Sequence, residues 1–291
     1  MSNNAETYER ITNQIVSLID SDGLLPWQKP WNGTAEFARS MSSGKLYNGI
    51  NRWVLTLTAQ ANGWSPWFGT YKQITELGGQ VRKGEKSSTA ILWKPVKKVV
   101  DGVEDSFLIL RTFNVFSASQ ADGLPEKFYA KPEGNDFELD LDAQGVFDAY
   151  TEAYGIPVSY GGGQAFYQPK ADSITLPLVE TFKGSAEFHA TAFHEAAHST
   201  GHASRLNRPG VVDFDHFGSH NYSREELVAE LGSALVLGAL GLDNPKLIEN
   251  QAAYLKSWKS ALKDDPQAIV WAAGRAEKAA NLILGLEEVA A

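Results

Sequence analysis

His194-Glu195-Ala196-Ala197-His198 sits inside an apolar, helix-prone run that begins near Ser185 and stops at Gly201. The two histidines are i and i+4, so on a helix both imidazoles project from one face. Two imidazoles so placed can share one Zn²⁺ at about 2.0–2.1 Å each. Glu195 lies close to the same face, where its carboxylate can activate a water. The plain alternative is two surface histidines beside a chance glutamate. The apolar helical context and the downstream acidic helix favour a metal site.

A hydrolytic zinc site has three protein ligands and one open position. Zincins of the H-E-x-x-H-x-x-G-x-x-H type take a third histidine after the glycine. Gly201 fits that pattern, but the third-histidine position is Ser204, and His202 comes two residues early. His202 is read as a residue beside the ligands or on the surface near a helix C-terminus, with third ligand as its alternative. The stronger candidate lies in Tyr222-Ser223-Arg224-Glu225-Glu226-Leu227-Val228-Ala229-Glu230. Glu226 and Glu230 are i and i+4 on one helical face. Glu226 is assigned as metal ligand and Glu230 as the acceptor that fixes a ligating imidazole, with the swapped assignment open. A competing reading makes Ser223-x-x-Glu226 a capping box, in which Glu226 serves the helix end. Tyr222 and His220 are candidates for hydrogen bonding a developing oxyanion, or plain loop residues. His189 is five residues before His194, an offset that turns it away, and reads as structural.

Composition bounds the rest. At 291 residues with 43 % hydrophobic and 21 % charged residues, the chain suits two globular domains. No run of eighteen apolar residues marks a membrane span. The N-terminus lacks the basic and apolar regions of a secretory signal. With no Cys there is no disulfide-linked partner and no Cys-based zinc knuckle, which suits the cytoplasm. The net charge of −9 conceals an asymmetry: residues 21–100 carry 11 Lys+Arg against 4 Asp+Glu. Six of the eight tryptophans lie in that stretch, and all six histidines lie between 189 and 220. Two chemistries occupy two halves.

In the first half, Trp27, Trp31, Tyr47, Trp64 and Trp67 alternate with Lys29, Lys72, Arg82, Lys83 and Lys86. Single-strand nucleic-acid binders combine aromatic faces with a positive groove in this way. Arg82-Lys83-Gly84-Glu85-Lys86 suits phosphate contacts that read no base. The competing explanation is that most of these tryptophans are core, and Trp53 and Trp93 are expected inside. Residues 5–20 have helical periodicity. Asn51 is a candidate cap for a helix to about Ala61, and Tyr71–Leu77 a short helix. Thr89–Val96 and Ser106–Phe116 read as a hairpin turning near Asp101-Gly102. Later helices are expected at about 142–154, 185–200, 223–237, 246–262 and 266–286, with a strand pair at 165–167 and 172–176. The fold class is therefore α+β in two domains. Residues 1–125 form an α+β nucleic-acid-binding domain, 126–140 a linker, and 141–291 a mostly helical domain with a small sheet.

Two sets of motifs carry a family resemblance. Trp27-x-x-Pro30-Trp31, Tyr47-Asn48-Gly49-Ile50-Asn51, Gly79-x-Val81-x-Lys83-Gly84-Glu85-Lys86 and Phe113-Asn114-Val115-Phe116 resemble the N-terminal domain of ArdC-type antirestriction proteins. The H-E-x-x-H stretch through Arg208, followed by Glu225-Glu226-Leu227-Val228-Ala229-Glu230-Leu231-Gly232, resembles the zincin-like metallopeptidase domain paired with it. The resemblance implies single-stranded-DNA binding by the first half and protection of incoming plasmid DNA from host restriction. It also implies an intact metal site, for Zn²⁺ with Mn²⁺ or Co²⁺ as alternatives. The expected partners are single-stranded DNA and, if the centre is hydrolytic, a host protein substrate, with no membrane. Two other functions compete: a cytosolic metalloprotease whose first domain recruits substrate, and a DNA-binding protein whose metal is purely structural.

Overall fold

The computed structural model describes residues 3–22, 37–100, 103–129, 143–182, 184–212, 220–242 and 251–286. The chain divides into two compact units, Met1–Arg10 with Glu36–Glu133 and Ile11–Ala35 with Gly134–Ala291. The architecture is α+β. The division differs from the expected 1–125 and 141–291 at two places. The first helix, α1 (Asn3–Asp22), passes into the second unit at Ile11. Residues 126–129, expected to open the linker, belong to the first unit: Phe128 is 2 % exposed and meets Trp67 edge-on at 5.2 Å.

The first unit runs β1 (Arg39–Ser40), α2 (Ile50–Asn62), β2 (Trp67–Gly69), α3 (Tyr71–Glu76), β3 (Gln80–Val81), β4 (Ser88–Val100), β5 (Val103–Ser117) and β6 (Ala121–Asp122). Its main sheet has the order β1-β2-β5-β4, with β3 and β6 paired separately. The expected hairpin is present and longer than its hydrophobic pattern suggested, pairing Ser88 with Val115 through to Val100 with Val103. Its turn residues, 101–102, lie outside the described residues. Leu55 and Ala59 of α2 pack on Phe68, Ala90 and Val115 of the sheet. Gly63 closes α2 in the left-handed conformation, φ 63°, that favours glycine. Asn51 does not cap α2. Gly49 stands at that position, and the Asn51 side chain reaches across to β4. Thr70 and Gln73 form a reciprocal capping box on α3.

The second unit comprises α4 (Ala143–Ala153), β7 (Val158–Tyr160), β8 (Phe166–Gln168), β9 (Ser173–Leu176), α5 (Ser185–Ser199), α6 (Pro209–Val212), α7 (His220–Ala239), α8 (Gln251–Asp264) and α9 (Ala268–Ile283). Three short strands form the sheet β7-β9-β8, with β7 parallel and β8 antiparallel to β9. β7 was not expected from the sequence. Leu227, Val228, Ala229, Leu231, Ala234, Leu235, Val236 and Leu237 are all buried, so α7 is apolar nearly all round and central. Small residues let its neighbours approach closely. A Cβ on Gly232 would stand 3.3 Å from the Ala197 Cβ of α5, and Ala272, Ala273, Ala276, Ala279 and Ala280 line α9.

Candidate functional site

α5 carries His194 and His198 on one face, and α7 packs against it carrying Glu226. The two Nε2 atoms lie 3.2 Å apart. Glu226 places Oε2 3.5 Å from His194 Nε2 and Oε1 3.5 Å from His198 Nε2. One ligand atom from each residue lies within 4.8 Å of the others, the one such cluster among the described residues. The donor set, two imidazoles and a carboxylate, is the chemistry that suits a divalent cation. Two imidazole nitrogens facing each other at 3.2 Å need a proton or a cation between them, so the arrangement fits a metal. α7 begins at His220, three residues before Ser223, so Ser223 is not its N-cap and the capping-box reading of Glu226 is overturned.

A buried layer behind the cluster sets its orientation. Glu225, 2 % exposed, has Oε1 3.3 Å from His198 Nδ1. Arg208 donates to both Glu225 oxygens from Nε at 2.9 Å and Nη2 at 2.6 Å. The same guanidinium donates to Thr200 Oγ1 at 2.6 Å and Ala197 O at 2.7 Å, binding the end of α5. Gly201 makes room for it: a Cβ there would fall 2.5 Å from Val211 Cγ2 and 2.9 Å from Arg208 Nη2. Sequence reading missed Glu225 and Arg208. The signal that could have found Glu225 is its position one residue before the ligand. Glu230 lies one turn beyond Glu226, half-buried, and its charge acts on His194.

Charge on these groups follows from burial and pairing. Burial opposes a charged His198, but the carboxylates of Glu225 and Glu226 outweigh it and raise its pKa to about 10. His194 is shifted upward too: burial opposes the charge and Glu226 outweighs it. Burial would raise the Glu225 carboxyl, yet Arg208 and His198 hold it below the usual carboxylate range. Glu226 is likewise depressed, with the two histidines overcoming burial.

Glu195 is 8 % exposed and accepts the backbone N–H of Tyr167, on β8, at 2.8 Å through Oε2. Tyr167 OH donates to Asp172 Oδ1 at 2.8 Å. Arg205 pairs with Asp172 and donates from Nε to Ser199 O at 2.8 Å, tying β8 to the end of α5. A cleft of about 1190 Å³ opens here, lined by Gln164 to Lys170, His202, Ala203, Gly210 to Val212, His194, Glu195, His198, Glu225 and Glu226. His202 lies at its rim with Nδ1 bonded to Ser204 and 3.7 Å from Asp172, apart from the three clustered ligands. Tyr222 falls on α7, but its side chain, like that of His220, lies outside the described residues. His189 is buried, with Nδ1 against Ser185.

Of the expected nucleic-acid-binding residues, Trp27, Lys29 and Trp31 lie outside the described residues. Tyr47 and Trp64 are half-buried against one core cluster and Trp67 against another. Arg82 is held by Glu85 at 2.9 Å and Asp122 at 3.2 Å, while Lys83 and Lys86 stand exposed. Lys72 is exposed and 3.7 Å from Glu76. Trp53 is 2 % exposed, as expected. Trp93 is not: it is 42 % exposed on β4, the outer strand of the main sheet.

Residues 5–116 match the family model of the N-terminal domain of anti-restriction factor ArdC, and residues 146–275 match that of a zincin-like metallopeptidase. The metal-free crystal structure of the antirestriction protein ArdC from plasmid R388 superposes with a TM-score of 0.75 at 37 % identity. It covers 97 % of this chain and 99 % of that one. The Mn(II)-bound structure of the same protein gives 0.74 at 38 %, covering 96 % and 97 %. The uncharacterised protein y4eC of Sinorhizobium fredii is 31 % identical over 291 residues, 95 % of this chain and 91 % of that protein. A DNA primase TraC of Escherichia coli is 35 % identical over 304 residues, 97 % of this chain, but the chain spans only 20 % of that protein's length. With both halves matched in order and the likeness to ArdC running almost end to end, the chain belongs to the ArdC family of antirestriction proteins, with a zincin-like metallopeptidase domain as its second half.

Proposed function

We propose that this protein binds single-stranded DNA through its first unit, protects incoming plasmid DNA from host restriction in the cytoplasm, and carries a metal-dependent hydrolytic centre in its second unit. The observation that carries the reading is one chain joining the ArdC-type first half, with its basic, tryptophan-rich stretch, to a His194–His198–Glu226 cluster. Among the described residues no helix is long and apolar enough to cross a membrane.

His194, His198 and Glu226 would hold the cation, Zn²⁺ or Mn²⁺, and Mn²⁺ is what the R388 protein's structure contains. Such a cation supplies Lewis-acid polarisation of a carbonyl and acidifies a water. The chain's own residues do the rest. Glu225 keeps His198 Nδ1 engaged, so Nε2 is the nitrogen presented to the cluster. Glu195 faces the cleft with Oε2 held by the Tyr167 N–H, and its Oε1 can take a proton from a water there. Tyr167 fixes that carboxylate through backbone, so the geometry does not depend on a second side chain.

Transfer of a restriction-sensitive plasmid into a restricting recipient tests the reading, with wild type, Glu195→Ala and no protein compared. Wild-type protein should raise transfer over no protein, and no increase would overturn the antirestriction reading. Loss of the increase in Glu195→Ala places chemistry in the function. Full retention favours a structural metal, which the intact but unused Glu195 geometry would then leave unexplained.

A further inference from the structure

We infer that single-stranded nucleic acid is gripped on the outer strand of the β4–β5 ribbon, with Trp93 as the base-stacking platform and Lys94 and Arg111 as phosphate contacts. The inference rests on the single-strand reading above and assigns it a place. Leu92 is 55 % and Trp93 42 % exposed, two consecutive large apolar side chains on an outer strand. Successive strand residues point to opposite faces, so Trp93 lies with Thr112 and Asn114 on one face. Leu92 lies on the other, with its cross-strand partner Arg111 and with Lys94. Lys94, Arg111, Thr112 and Asn114 are all exposed.

Exposed apolar residues on an outer strand invite another strand, but around Trp93 this edge is closed to one. Asn51 Nδ2 donates to Ile91 O at 2.7 Å, and Ile91 N donates to Asn51 Oδ1 at 2.8 Å. The carboxamide thus occupies both outward main-chain groups of Ile91, as a neighbouring strand would. Outward positions recur every second residue, so Trp93 is next and then Pro95, which has no N–H to offer. A second copy or an extended peptide would find one usable residue between two blocked ones. What remains available is the side chains: an indole with Thr112 and Asn114 on its own face, and Lys94 and Arg111 on the opposite face, within reach of a phosphate backbone that crosses the outer edge. That combination suits a stacked base whose phosphates pass over the strand, since every base has a π-face and no base edge need be read. Among the described residues, Tyr47, Trp64 and Trp67 give much of their surface to core packing, which leaves Trp93 better presented than these three.

The test uses the full chain and a fluorescein-labelled oligothymidylate of about 20 nucleotides, longer than a typical single-strand site, read by anisotropy. Trp93→Ala should weaken binding about tenfold with unchanged thermal melting, and Trp93→Phe should keep most of the affinity. Lys94→Gln and Arg111→Gln should each flatten the slope of log affinity against log salt by about 0.7. If wild type binds and Trp93→Ala binds equally well, the ribbon site is wrong while the single-strand reading stands. If Trp93→Ala instead changes the sedimentation of the protein alone, the face joins two copies, and the inference is overturned. If wild type does not bind the oligonucleotide at all, the single-strand reading itself fails.

Discussion

The metal cluster depends on residues that touch no ligand. Glu225 stands between a buried imidazole and a buried guanidinium, so its charge serves both. Replacing it with Gln keeps the shape and removes the charge. Metal affinity of Glu225→Gln, measured by chelator competition, should fall about 10- to 100-fold. Removing the other partner is costlier to the fold. Arg208→Met takes the two guanidinium bonds from the buried Glu225 carboxylate and leaves it His198 Nδ1, and chemical denaturation should show a loss of about 3–5 kcal/mol. The same cations and carboxylates give the metal-free protein a defined pH response. His198 is raised in the folded state, to about 10, so its contribution is complete below its unfolded value and disappears as pH climbs through 10. Glu226 is depressed, so its contribution is present above its unfolded value and lost as pH falls. These groups together predict that the metal-free melting temperature peaks between roughly pH 4.5 and 6.5, the reference carboxylate and imidazole values. Metal binding needs neutral imidazoles and displaces protons, so the stabilisation conferred by added Mn²⁺ should grow with pH over the range where the metal-free protein weakens. A stabilisation by metal that is flat from pH 6 to 8 would show that the histidines do not bind it.

At the scale of elements, Asn51 joins α2 to β4 with two hydrogen bonds that no helix-capping rule anticipates. Helix periodicity placed α2, and alternation placed the hairpin, because both report which face is buried. Neither reports what closes a sheet edge, which is a long-range contact made by one polar side chain. Trp93 was misplaced for the same reason: its apolar pattern is that of a covered strand, but nothing among the described residues covers it fully. The H-E-x-x-H helix and its acidic partner were legible since ligand spacing is local to each helix. Glu225 and Arg208 were not, because their pairing spans 17 residues and a turn built around Gly201. Asn51→Ala should leave the N–H and C=O of buried Ile91 without these partners and cost about 1–3 kcal/mol by denaturant titration. It should also expose the edge, so that variant should aggregate more readily than Asn51→Gln, whose carboxamide is retained. Equal stability and solubility of Asn51→Ala and wild type would show that the edge needs no cover.

At the scale of the whole molecule, the sequence suggested a cut near residues 126–140, and the structure sets a different condition on any such cut. The second unit includes α1 from Ile11 onward. Ile11, Ile15 and Val16 are buried, and Thr12 Oγ1 donates to Pro266 O at 2.9 Å. Fully burying each of the three apolar side chains contributes about 1.5–3 kcal/mol, together comparable to the 5–15 kcal/mol that separates a domain from its unfolded chain. A fragment beginning at residue 134 keeps the metal ligands yet lacks this helix. It should therefore melt well below the full chain, with a broadened transition and exposed apolar surface. Adding a peptide of residues 1–22 in trans should sharpen and raise that transition. A fragment that melts cooperatively without the peptide, at the temperature shown by the second unit in the full chain, would show that the N-terminal helix is an ornament of this core and not one of its parts.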